Sequence, residues 1–345
     1  MKTQTLFLLI FLSALVSITG CKRNTGNSSM RKITGRAGEL IIVVSKDVWN
    51  SDAGTKMKEV LTQPQLGLPQ NEPIFNLIDI PKEGFGDIFK TNRNLIITEV
   101  NSSVAEPKVQ LMSDVHASPQ AVVMISAKNT EQFGQLFNEN SDKIIAFFLK
   151  AERDRLMQNY ANYNERAVSK KVKARFGLNI NIAPGFNVAV DKPDFMWIRN
   201  ETNEISQGIC IYSYPYESDS TFTENYLRIK RDLILKQNVL GPMEGSFMTT
   251  EKDFPLLFNT LNLRGNYAAD IRGLWTVEND FMGGPFINLS ILDLLKKRVV
   301  TIDGFVYAPS KDKRNLLRQI EAMVYSVTFD DQKDMDKINK QFGDQ

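Results

Sequence analysis

The chain of 345 residues holds two cysteines and one histidine, which narrows the chemistry open to it before any element is assigned. Cys21 follows Ile18-Thr19-Gly20, a branched apolar residue and two small ones, directly after the apolar run Leu6 to Ile18. That arrangement is the pattern in which a thiol is alkylated by diacylglycerol and then becomes the first residue of the mature chain. The run is too short for a stable membrane-spanning helix, which needs about 20 residues, and it reads as a cleaved targeting segment. Two or more acyl chains, each burying methylenes at about 0.8 kcal/mol apiece, suffice for lasting attachment to a membrane. Cys210 is then the remaining thiol, set in the apolar run Gly208-Ile209-Cys210-Ile211-Tyr212, where a small buried hydrophobe is expected rather than a nucleophile.

The densest group of unusual residues spans Arg264 to Phe286. Arg264, Arg272, Trp275, Gly283 and Gly284 form a candidate ligand site, because paired glycines let backbone N–H groups approach a ligand and guanidinium groups recognise anions. The same residues also suit a tight turn beside a core tryptophan, with Arg272 paired to Asp270, and this is the favoured reading. Asp270, Glu278 and Asp280 are the least poor carboxylates for glycoside hydrolysis, although spacing along a chain does not set the separation that reaction needs. His116, in Ser113-Asp114-Val115-His116-Ala117, has no nucleophile-elbow pattern beside it, so no catalytic residue is assigned. One histidine and one free cysteine do not build a Cys/His zinc site, and neither a P-loop, a dinucleotide fingerprint nor an EF-hand loop occurs. No cofactor or metal is expected. Asp219-Ser220-Thr221 resembles the short O-glycosylation acceptor of exported Bacteroidetes proteins, with Ser220 the acceptor.

The elements that would carry these residues follow from periodicity. Leu40 to Val44 is a continuous apolar run of the kind that forms a buried central strand, and Phe75–Ile80, Asn94–Val100 and Ala121–Ile125 read as further strands. A helix over Ala53–Leu61 takes Asp52 as its cap, and a short one lies near Phe85–Phe89. Helical character runs from Thr130 to about Lys173 with a break, and Leu156, Tyr160, Tyr163 and Ala167 mark an inward stripe. The basic residues between Lys150 and Arg175 read as a solvated face that is also able to meet lipid headgroups. Alternation at Phe176, Leu178, Ile180 and Ile182, the turn Pro184-Gly185, and Phe186, Val188 and Val190 predict a β-hairpin. Strands at Phe195–Ile198 and Ile209–Tyr214, a helix over Phe222–Leu235, strands near Gly265–Trp275, Phe286–Leu289 and Val299–Tyr307, and a helix over Lys313–Ser326 complete the pattern.

The fold expected is α+β, with mixed sheets and packed helices in two lobes. Residues 1–20 are assigned to the signal peptide, 21–36 to a flexible tether, 37–175 to an N-terminal lobe, 176–330 to a C-terminal lobe and 331–345 to a charged tail. A formal net charge of +2 gives no reason to expect a nucleic-acid partner. Lys22 and Arg23 stand where surface-export signals place acids, which favours an outer-membrane anchor facing the periplasm.

Several motifs together resemble one family. They are Gly38-Glu39-Leu40 with Trp49 behind it, Leu68-Pro69-Gln70 followed by Glu72-Pro73-Ile74-Phe75, and Arg93-Asn94. Arg272-Gly273-Leu274-Trp275, Met282-Gly283-Gly284-Pro285-Phe286, and Lys313-Arg314 with Arg318-Gln319 and Glu321 complete the set. They are similar to a Bacteroidetes family of cell-envelope lipoproteins carrying a domain of unknown function. The resemblance implies location and length and brings no catalytic residues with it. The function expected is a lipid-anchored binding or assembly factor with an envelope protein or glycan as partner. The alternative is an envelope hydrolase acting on glycan or peptidoglycan, and a small-molecule receptor is a third class.

Overall fold

The structure, a computed structural model, describes residues 30–331. The signal segment, Cys21, the tether as far as residue 29 and the tail from residue 332 lie outside the described residues. In chain order the first elements are β1 (Arg31–Lys32), β2 (Glu39–Val43), α1 (Lys46–Trp49), α2 (Asp52–Leu61) and β3 (Asn76–Ile80). They are followed by α3 (Asp87–Lys90), β4 (Asn94–Val100), β5 (Lys108–Ser113), β6 (Ala117–Ser118), β7 (Ala121–Ala127) and α4 (Thr130–Asn162). Strands β3, β2, β4 and β7 pair in parallel in that order, and β5 closes the β7 edge antiparallel. Parallel central strands need apolar side chains on both faces, and the runs of β2, β4 and β7 supply them. Leu40, Ile42, Ile96, Val123 and Ile125 pack against α2 and α4, while Ile41, Val43, Leu95 and Val122 meet Phe85 and Phe89. Arg31 and Lys32, within the expected tether, pair with β6, and the Thr34 N–H donates to the Thr91 carbonyl.

Local chemistry corrects two sequence expectations in this region. The cap of α2 is Ser51, whose Oγ accepts from the Gly54 N–H at 3.2 Å, and Asp52 is the first helical residue, where its charge favours the positive helix end. Helix α4 is about 50 Å long and ends at Asn162. Chain direction resets there, so of the expected stripe Tyr160 is buried while Tyr163 is 65% exposed and Ala167 faces solvent. The following helix, α5 (Arg166–Phe176), buries Val168, Val172 and Phe176 instead.

The remaining elements are β8 (Leu178–Asn179), β9 (Asn187–Lys192), β10 (Phe195–Glu201), β11 (Ser206–Pro215), α6 (Glu224–Asn238), β12 (Met248–Thr250) and β13 (Leu257–Leu263). After these come β14 (Asn266–Val277), β15 (Gly283–Asp293), β16 (Arg298–Tyr307), α7 (Arg314–Val324) and β17 (Thr328–Phe329). The expected hairpin after α5 does not form. Phe176 ends α5, Gly177 takes the left-handed cap at φ +69°, β8 pairs with β17, and the partner of β9 is β10. Alternating burial at 178, 180 and 182 comes from an extended segment lying beside α7. There the Asn181 N–H donates to Ser326 Oγ at 2.9 Å, and the Ala183 N–H reaches Met323 Sδ at 3.2 Å. Any extended chain with one buried side shows that period, with or without a ladder to the next strand.

Strands β14, β15, β16, β11, β10 and β9 form an antiparallel sheet whose β14 edge is shared by β12 and β13. One face packs Ile209, Ile211, Ile287, Leu289 and Ile302 under α7, and the other packs Cys210, Tyr212, Trp275, Phe286 and Phe305 toward α6. Gly304 is required on the α7 side, because a Cβ there would stand 2.2 Å from the Ile320 side chain. On the α6 side Arg231 and Asp303 form a fully buried pair, Nε to Oδ2 at 2.6 Å, with Asn288 donating to the same carboxylate at 2.7 Å.

Breaking that pair from one side strands a charge in the core. Arg231→Met is expected to cost about 3–5 kcal/mol, whereas Arg231→Met combined with Asp303→Leu recovers much of the loss. Urea denaturation of both variants checks this, and additive losses would show that the two groups do not act as a pair.

Candidate functional site

Among the cavities formed by the described residues, two of about 400 Å³ flank the antiparallel sheet. The first, of about 420 Å³, lies where β13 and β14 meet α4, α7 and the loop at Gln65-Leu66. Arg272 on β14 donates through Nη2 to Asp270 Oδ2 at 2.9 Å and to Glu321 Oε1 on α7 at 2.9 Å. Arg153 on α4 reaches the same Glu321 oxygen at 3.2 Å and lies 4.4 Å from the centre of the Tyr325 ring, whose hydroxyl donates to Asp270. Burial alone would raise the Glu321 pKa, but Arg272 and Arg153 outweigh it and hold the carboxyl below its ordinary 4.5. Burial likewise works against the charged Arg272, while Glu321 and Asp270 push its pKa up. Arg318, one turn before Glu321 on α7, lines the same cavity and donates through Nη2 to Gln65 Oε1 and the Ile74 carbonyl at 3.0 and 2.9 Å. Among the described residues its Nε and Nη1, both enclosed, have no acceptor, and burial, reinforced by Arg314 and only partly offset by Glu152, Glu321 and Glu72, pulls its pKa down to about 10.

The second cavity, of about 400 Å³, opens on the α6 side of the sheet. Its wall combines Trp197, Trp275, Phe305 and Tyr307 with Met248 and Met282. Trp275 meets Phe305 edge-on at 5.6 Å between ring centres, and its indole N–H donates to the Val306 carbonyl at 3.2 Å. Arg199 lies 5.2 Å from the Trp197 ring centre, and the Trp197 indole N–H finds no acceptor among the described residues. Leu240 forms part of the lining and is 71% exposed, Met243 in the same loop is 62% exposed, and Phe281, next to Met282, is fully exposed.

The five residues grouped by the sequence occupy three places. Arg272 is in the first cavity. Trp275 lines the second as a core residue with 2% exposure, and Gly284 lies against its indole nitrogen, while Gly283 pairs with Thr276 at the end of the ladder. Arg264 sits in the turn between β13 and β14 at φ +51° and donates to the Tyr325 and Val327 carbonyls. Asp270 is buried against Arg272, whereas Glu278 follows the far end of the same strand, about 25 Å away at the rise of an extended chain. Asp280 accepts from the Phe281 and Met282 N–H groups in the next turn. Paired carboxylates in glycoside hydrolysis lie within about 10 Å, so Asp270 does not act with either. Cys210 is fully buried behind Asp303, and burial raises its pKa well above that of an ordinary thiol. The His116 ring stands edge-on to Phe85 at 6.2 Å. Ser220 is exposed on a 3₁₀ turn, 2.8 Å from Ser218 Oγ. Sequence named Glu321 only among the residues of the family resemblance, and placed neither it nor Arg153 and Tyr325 in a site; the signal that bore on them was the charge of Glu321 and Arg318 inside the otherwise apolar period of the last helix.

Fold and cavities define an α+β protein built around a mostly parallel mixed sheet and a larger antiparallel sheet. Residues 165–326 match the family model of a domain of unknown function, DUF4837, and residues 33–161 match a second, DUF8532. The two matches meet where α4 gives way to α5. No curated protein matches the chain. Among solved structures, the Ran-binding protein Mog1p of Saccharomyces cerevisiae is similar at 8% identity and a TM-score of 0.31, covering 45% of this chain and 90% of its own. LpqN, involved in cell envelope biogenesis of Mycobacterium tuberculosis, is similar at 11% identity and 0.28, covering 44% and 82%. Human StAR-related lipid transfer protein 5 is similar at 11% identity and 0.23, covering 56% and 99%.

The depressed Glu321 pKa carries a sign. Its stabilisation is complete above the ordinary carboxyl value and is lost as pH falls through the lower folded-state value. Wild type is therefore expected to exceed Glu321→Gln in stability at about pH 7 and to lose that margin progressively as pH falls below the ordinary 4.5. Denaturant titrations of both proteins at neutral pH and through a descending acid series test it, and a margin that does not shrink in acid would refute the assignment.

Proposed function

We propose that this protein is a lipid-anchored binding or assembly factor of the bacterial cell envelope, of the kind found in Bacteroidetes. Acyl chains on Cys21 hold it at the outer membrane facing the periplasm, and the aromatic cleft receives an apolar group of another envelope component. The observation that carries the binding reading is the cleft itself. Four aromatic rings and two methionines enclose it, and Leu240, Met243 and Phe281 stand exposed in the loops that supply its lining. A soluble surface rarely leaves such residues together unless a partner covers them, and each full burial contributes about 1.5–3 kcal/mol. Aromatic and methionine side chains are also the residues that anchor interfaces.

The hydrolase reading has less support. Asp270 and Glu321, the carboxylates near one another, are bound by one guanidinium. Glu321 is held ionised, and so does not serve as a general acid near neutral pH.

Crosslinking in intact cells tests the cleft. A partner recovered with wild type is expected to fall about tenfold with Phe281→Asp combined with Leu240→Asp, and to persist with Ile88→Asp, an equally exposed change on α3. Recovery unaffected by the cleft variants would overturn this site. The anchor is tested separately: intact mass is expected to show acyl chains on Cys21, and Cys21→Ser to release the protein from membranes.

A further inference from the structure

The basic helix α5 borders neither of the two larger cavities. Arg166, Lys170 and Lys173 stand at i, i+4 and i+7 along it, which sets them on one face. That face borders a cavity of about 290 Å³, which Asn164, Asn179 and Asn181 also line. All three cations are exposed. Lys173 is paired with Asp330 at 2.7 Å, whereas Arg166 and Lys170 meet no carboxylate among the described residues. Asn164 spends its side-chain oxygen on the Ile182 N–H and the Ser169 hydroxyl, at 3.0 and 2.7 Å, and its amide hydrogens remain to donate. A hollow walled by cations and amide donors, with Ile180 as the apolar residue in its lining, suits a compact anion.

The chain enters the folded body at the same end. Lys32 of β1 pairs with Ser118, and the carbonyl of the next residue, Pro119, accepts from Arg155 Nε at 2.9 Å. From Arg155 to the end of α4 at Asn162 is about 10 Å at the helical rise, and α5 starts at Arg166. Nine residues separate Cys21 from Arg31, which span at most about 35 Å. We propose that this face of α5 docks on an anionic phospholipid surface, with Arg166 and Lys170 taking a headgroup phosphate in the cavity. The inference rests on the reading of a membrane-held protein and deepens it: acyl chains limit the distance, and α5 sets which side of the body meets the bilayer.

The mature chain carrying Cys21→Ser, which has no acyl group, isolates this contact from the anchor. Its sedimentation with vesicles of phosphatidylglycerol and phosphatidylcholine in equal parts is compared with vesicles of phosphatidylcholine alone. Binding to the mixed vesicles is expected to be at least about tenfold stronger, and to fade as salt is raised. Each cation close to an anionic surface contributes about fivefold in affinity, so Arg166→Gln with Lys170→Gln should weaken binding by about tenfold or more. Lys46→Gln with Lys128→Gln removes the same charge from exposed positions beyond the far ends of β2 and β7, and should leave binding nearly unchanged. Absence of binding to the mixed vesicles, equal binding to both kinds, or equal loss in the two double variants would overturn the proposal. So would saturable binding of glycerol 1-phosphate without vesicle binding, which would assign the cavity to a soluble phosphate ester. An unacylated Cys21 in the intact-mass test would remove the anchor and leave this result standing, and failure here would leave the anchor standing.

Discussion

Helix α7 is where the two sheets are tied together, and the tie is made of charge rather than of oil. Its first N–H groups, those of Lys313 and Arg314, donate to the two carboxylate oxygens of Glu72 at 2.6 and 2.9 Å, a helix-end interaction supplied by a loop 241 residues earlier. Arg314 and Arg318 donate to the carbonyls of Pro73 and Ile74 in that same loop. One turn on, Glu321 holds Arg272 of the antiparallel sheet and Arg153 of α4. Meanwhile Leu317, Ile320, Met323 and Val324 on the other side of α7 pack into the sheet core. An apolar contact would let the helix slide or rotate at little cost, whereas each of these charged groups has one geometry in which it is not stranded.

The chemical difference between the two cavities follows from strand alternation. Arg272 and Trp275 are three residues apart on β14, an odd separation, so they point to opposite faces of the sheet. Arg272 therefore joins the ion network under α7 and α4, and Trp275 joins the rings on the α6 side. The sheet keeps each set in its own environment, which matters because a guanidinium shared with the aromatic pocket would lose its carboxylates. Gly284, opposite Trp275 in the ladder, leaves the indole room to lie flat enough for its N–H to reach Val306; a Cβ there would stand 2.1 Å from that carbonyl oxygen. Gly284 thus packs beside the buried Trp275.

What could be read in advance was whatever a single segment encodes. The apolar runs of β2, β4 and β7 announce central strands because both their faces are buried, and the Leu317, Ile320 and Val324 spacing announces α7 because one stripe is. The edge strands β5 and β13 escaped notice, since exposed edges mix polar and apolar residues without a clear period, and β12, though buried, is only three residues long and shows no period at all. The false hairpin had a correct burial pattern and a wrong partner, which periodicity does not specify. Of the site, Arg272 was singled out for its proximity to Trp275, but the residues that complete its surroundings are far off in the chain. Glu321 is 168 residues from Arg153 and 49 from Arg272, and no local rule joins them.

The distribution of charge along α7 shows how each of its ionic groups is held. Glu72 accepts at both of its oxygens, and Glu321 accepts from two guanidinium groups at Oε1, as a structural seam requires. Arg314 already secures the loop at Pro73, so the second hold by Arg318 at Ile74 needs only one of its nitrogens. A residue needed for that alone could be neutral, since a carbonyl accepts from an amide as readily and without the cost of burying a cation. The full guanidinium is instead answered at longer range by Glu152, Glu321 and Glu72, whose attraction offsets part of the burial that pulls its pKa down.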